Sequence, residues 1–179
     1  WLYPVAYRVI ETKSSDSWAW FLQNLCNLIG HPEGLVIHTD ACKGLEIAVE
    51  QVWPGVEHRE CMRHLVANSE KKFKGKVYDD NLWPASLTYS SRKQNWHMKQ
   101  ILAKKSLKKY MAKHHTKIWY RSKFNEICKV DYVNNNLAKS FNSKVREIKA
   151  LLIVDMLDKI RQMIMEKFDL RMRIALEKW

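Results

Sequence analysis

Residues 35–65 read LVIHTDACKGLEIAVEQVWPGVEHRECMRHL, and the order of residue types in this stretch decides the fold. Leu35 to Thr39 is a short apolar, β-prone run that delivers Asp40 to its C-terminal end. Lys43 and Gly44 follow at once, and Leu45 to Val52 has helical spacing closed by Pro54 and Gly55. Val56 to His58 then reads as another short strand and Arg59 to Phe73 as a helix. Strand, helix, strand in this order implies parallel pairing with a crossover. An acid at the end of such a strand stands where open α/β sheets place their chemistry. Asp40 is therefore the first candidate for a metal ligand, its plainer alternative being a cap for the following helix.

Working outward, Pro4, Val5, Tyr7 and Val9 form a β-prone run. The polar cluster from Thr12 to Asp16 offers turn and N-cap residues. Trp18, Phe21, Leu22 and Leu25, then Leu28 or Ile29, recur at helical spacing up to Gly30, a C-terminal stop. Downstream, from Leu82 to about Tyr120, the strand pattern gives way to helical spacing. Asn134 to Asn136 can cap a helix whose buried face is Leu137, Ala138, Phe141, Val145 and Ile148. A last helix carries Ile153, Leu157, Ile160, Ile164 and Phe168 as its apolar stripe. The expected organisation is a first core part over 1–80, a basic helical insertion over 81–130 and C-terminal core helices over 131–179.

The chain has 179 residues, 46% of them hydrophobic, which suits one ordinary domain with a real core. No apolar run approaches a membrane span and no secretory signal pattern opens the chain, so an intracellular protein is expected. It begins at Trp1 inside an apparent strand, which suggests a segment cut from a longer protein. Cys26, Cys42, Cys61 and Cys128 lack the dense spacing of a disulfide scaffold and are expected to be reduced.

Lys plus Arg number 31 against 19 Asp plus Glu, a formal charge of +12 that points to a polyanionic partner. Almost the whole excess falls between Asp80 and Glu126, a stretch without a single acid. Lys104, Lys105, Lys108, Lys109, Lys113, Lys117 and Arg121 are the candidate nucleic-acid contacts. Lys105, Lys109, Lys113 and Lys117 fall on one i, i+4 row, where like charges repel until an anion relieves them. Trp96, Tyr110, Trp119, Tyr120 and Phe124 interleave with these cations and can stack on unpaired bases, or serve the core. A solvated lysine-rich face is the plain alternative for the row.

Cys61 and His64 form a Cys-x-x-His pair. On a helix, positions i and i+3 share a face, so thiol and imidazole can meet each other or a common ion. Structural packing and hydrogen bonding are the first reading of the pair; zinc also suits these donors but needs further ligands, for which Cys42 and His38 are available. A nucleophilic Cys/His dyad would lack an orienting third group.

Three stretches together resemble the catalytic core of plant Mutator-like transposases, the MULE family. They are the opening WLYPVAYRVIETKSSDSWAWFLQNL, then IHTDACKGLEIAVEQVWPGVEHRECMRHLVAN with KKFKG beyond it, and NNNLAKSFNS. The resemblance implies a ribonuclease-H-like α/β sheet with flanking helices, N-terminally truncated here and carrying an all-helical insertion. It implies DNA cleavage and strand transfer in the nucleus with Mg²⁺ or Mn²⁺, and transposon DNA as partner, with homo-oligomers open. Of the family's Asp, Asp, Glu triad, the first Asp would lie upstream of Trp1 and the second matches Asp40. The third position holds Lys139, a cation that cannot ligate a metal. Cys61 and His64, with His58 and Arg59 before them, match the group's Cys-x-x-His signature and would shape the site. Impaired chemistry is the expectation, and two other classes stay open: a domesticated, non-catalytic DNA-binding or transcriptional regulator, and a small structural zinc module.

Overall fold

The computed structural model describes residues 4–177, leaving the side chains of residues 136–139 undescribed. The chain divides into two compact units, one of Val9–Asn135 and one of the described residues before Val9 together with those from Asn136 on.

Val9–Asn135 opens with helix α1, Ser15–Ile29, whose N-cap Ser14 accepts a hydrogen bond from the Ser17 backbone. Gly30 stops it in a positive-φ conformation (φ 67°) that a residue with a Cβ rarely adopts. Strand β1, Val36–Thr39, helix α2, Lys43–Val52, and strand β2, Glu57–Glu60, follow as a crossover unit. The strands pair in parallel from Val36 opposite Glu57 to Thr39 opposite Glu60. A single parallel bridge from Arg59 to Ile118 adds the beginning of a third partner. Leu22 and Cys26 of α1 and Ala48, Val49, Val52 and Trp53 of the α2 segment form one core. Gly44 permits the approach of α2 to α1, since a Cβ there would stand 3.3 Å from the Ser15 nitrogen.

The helices after β2 are α3, Met62–Glu70, then α4, Lys76–Asp79, and α5, Leu82–Leu87. Two longer ones follow, α6, Ser91–Leu102, and α7, Lys105–His114. Met62 and Leu65 of α3 pack with Tyr78, Leu82, Ala85, Ile101, Leu107, Met111, Trp119 and Val133 into a second core. The segment expected as a helical insertion therefore shares its core with α3. In the other unit, α8 spans Asn136–Glu147 and α9 spans Ile153–Glu177.

The described residues are thus mixed α/β but mostly helical, with a two-stranded parallel sheet where a larger ribonuclease-H-like sheet was expected. The run from Pro4 to Val9 forms no strand, and Val5, Tyr7 and Val9 are exposed. β-propensity needs a partner ladder to express itself, and no strand among the described residues pairs with this run. Arg59 and Glu60 were assigned to the following helix but belong to β2, and Cys61 is the N-cap of α3. No helix among the described residues is long and apolar enough to cross a membrane.

Candidate metal centre and basic surface

Asp40 and Cys61 are the residues immediately beyond the last paired positions of β1 and β2. The Cys61 N–H donates to the Thr39 carbonyl at 2.8 Å, carrying the ladder one bond further. α3 begins at Met62 and puts His64 in its first turn, on the same end of the sheet. The His64 Nδ1 lies 2.7 Å from the Asp40 Oδ1. A carboxylate oxygen of Asp40, the Sγ of Cys61 and a ring nitrogen of His64 all stand within 4.8 Å of one another. The thiol is fully buried, whereas the Asp40 side chain is 48% exposed. Three donors of different chemistry thus form a half-open cluster.

Asn135 completes it. Its side-chain amide donates to the Asp40 Oδ1 at 2.7 Å and its Oδ1 accepts from the Cys61 thiol at 3.1 Å. Its backbone N–H points at the same sulfur, 3.4 Å away. The Met62 N–H donates to the Val133 carbonyl, which draws this distant segment to the start of α3. From residue type, Asn134 to Asn136 are expected only as caps. The missed signal was an amide, donor and acceptor at once, in the stretch that resembles the family's third-acid region.

Of the other expected site residues, His58 and Arg59 are bonded elsewhere. His58 shares a 2.7 Å hydrogen bond with the Thr39 hydroxyl, and burial foremost, then the Lys117 and His38 charges, lowers its pKa to about 4. Arg59 donates to the Glu57 carboxylate and the Val130 carbonyl and stacks 3.6 Å from the centroid of the Phe124 ring. The neighbouring Glu60 meets His115 in a fully buried pair, and burial raises the Glu60 pKa. Burial is also the chief influence holding His38 below the usual imidazole range. Cys42 is the N-cap of α2 and is not in the three-residue cluster. Lys139 falls on α8 and its side chain is outside the described residues.

Of the basic candidates, Lys104, Lys105, Lys108, Lys109 and Lys113 are exposed on or just before α7. Lys117 is not on their row: α7 ends at His114, and His115 adopts φ −129°, ψ 73°. Lys117 instead lies 3.7 Å from Glu50. Arg121 lies 3.2 Å from the Asp131 carboxylate and donates to its carbonyl. Trp119 is buried in the second core and Tyr110, Tyr120 and Phe124 pack against it, while Trp96 is 58% exposed.

Residues 1–68 match the family model of the MULE transposase domain. No curated protein matches the chain.

Proposed function

We propose, from the premise that the first 68 residues are a MULE-type transposase segment, that this chain binds DNA in the nucleus and holds one transition-metal ion at Asp40, Cys61 and His64. The observation that carries the metal reading is the convergence of those three donors within 4.8 Å. The donor set also decides the kind of ion. Two-ion cleavage of DNA needs several carboxylates around a pair of hard cations, and this site offers one carboxylate beside a thiol and an imidazole. The sequence position matching the family's third acid holds Lys139. The residues present therefore do not fit a Mg²⁺ or Mn²⁺ pair, and no cleavage step follows from them.

They do fit zinc or a similar soft-tolerant ion, with Asp40, Cys61 and His64 as ligands and Asn135 orienting two of them. Such an ion supplies a fixed positive charge and ties the ends of β1 and β2 to α3. The protein's own groups prepare this: the Asn135 amide keeps the carboxylate turned toward His64, and burial shields the thiol. DNA as partner is supported by the exposed lysines of α7 and the acid-free stretch around them. Binding without cutting is equally what a non-catalytic regulator derived from a transposase would do.

Metal analysis and calorimetry test the centre. About one zinc per chain should be taken up, with affinity falling at least tenfold in Asp40→Asn and in Cys61→Ser. Absence of stoichiometric zinc would overturn the centre. Mg²⁺-dependent nicking of supercoiled DNA that Asp40→Asn abolishes would replace this reading with catalysis.

A further inference from the structure

The lysines that matter for DNA need not be those on one helix row. Tyr110, on α7, is a hub where two elements meet. Its ring centroid lies 5.0 Å from the Lys72 ammonium, just beyond α3, and 4.9 Å from the ring of His114 at the end of α7. Phe73 and His115 each stand 5.3 Å from it, and His115 bonds to Glu60, which immediately precedes Cys61. The end of α7 is thereby fastened to the end of the sheet that carries Asp40 and Cys61. Lys113 adjoins His114, and Lys43, three residues after Asp40, opens α2.

We propose that Lys43, Lys72, Lys113 and His114, with the Tyr110 ring as floor, form a phosphate-binding subsite that grips a backbone phosphodiester beside the Asp40 centre. The proposal rests on the DNA-binding reading above and adds to it the place of contact. Lys43, Lys72 and Lys113 are exposed, and no ion pair among the described residues joins any of them to a carboxylate. Helix dipoles account for only part of the arrangement. Cations at the C-terminal ends of α3 and α7 are stabilised there, but Lys43 occupies the first turn of α2, where the dipole disfavours it. Lys113, Lys72 and Lys43, from three elements, all act electrostatically on His114, and like charges gathered about one ring repel one another until a bound phosphate relieves them. Partial desolvation, followed by the charges of Lys113, Lys72 and Lys43, lowers the His114 pKa. At neutral pH its imidazole is then a neutral hydrogen-bond donor, suited to a phosphate oxygen that lysines already balance.

The test compares the purified chain with the double variant Lys72→Gln, Lys113→Gln, whose folding is checked by circular dichroism. Binding to a duplex oligonucleotide is followed by fluorescence anisotropy over a salt series, and pyrophosphate binding by calorimetry. The variant should bind DNA roughly tenfold more weakly, and its log–log salt slope should be shallower by about one, for the one phosphate no longer held. Unchanged affinity and slope would overturn the subsite while leaving DNA binding in place. Pyrophosphate binding that the variant loses, in a chain that ignores DNA, would support the subsite for free phosphates and remove the DNA reading. A chain that binds neither probe would overturn both.

Discussion

Arg59 and Lys113 are both basic, both belong to elements that reach one end of the same short sheet, and have opposite fates. Arg59 is 1% exposed, its guanidinium paired with Glu57, bonded to the Val130 carbonyl and stacked on the Phe124 ring. Lys113 is exposed and joined to no acid among the described residues by an ion pair. Side chains of one formal charge thus divide into cations that complete the fold and cations that await a partner. Net charge alone cannot separate them. Burial can, because a buried charge is tolerated only with its partners in place.

The sharpest way to break the comparison is Arg59→Ala. It leaves the Glu57 carboxylate, itself only 9% exposed, with the Asn125 N–H but no cation, and should cost about 3–5 kcal/mol in urea unfolding. A loss no larger than that of a surface lysine would show that Arg59 belongs with the others. Next in size is the effect of pH. His58, with a folded pKa of about 4 against an ordinary 6.5, stays neutral in the folded chain while its unfolded counterpart protonates. Its contribution is complete above pH 6.5, is lost as pH falls from there to about 4, and amounts to about 3 kcal/mol at most. His58→Gln should flatten that part of the stability profile by about one proton. The smallest effect is expected from Lys105→Gln with Lys109→Gln, which should change stability by less than about 0.5 kcal/mol. A larger loss by thermal or urea unfolding would assign these lysines to the fold.

Local chemistry made much of the molecule legible in advance. Ser14 and Gly30 bracket α1 as capping rules require, and the apolar run before Asp40 is β1 within one residue. Arg59 and Glu60 resisted because charged residues seldom fill buried strand positions, and the partners that permit it, Val130 and His115, lie 71 and 55 positions away. Asp40, Cys61 and His64 could be named from residue type, whereas their assembly could not be derived as proposed. The i, i+3 argument brings Cys61, as N-cap, near His64 but says nothing of Asp40. It is the strand register that sets Cys61 beside Asp40. Asn135 was beyond reach for the same reason as Arg59, its contacts spanning 74 and 95 positions. The lysine row was extended one step too far because the spacing rule carries no information about where a helix stops.

The three candidate ligands all lie between residues 40 and 64, and that stretch is nearly coextensive with the β1–α2–β2 crossover. An ion seated there would close the crossover upon itself, as a clasp closes a loop, and shrink the disordered ensemble from which the crossover must fold. Metal supply and the persistence of the sheet then become one quantity. Where zinc is scarce, the first part of the chain to loosen would be the end that carries Asp40, so that shape and occupancy are lost together.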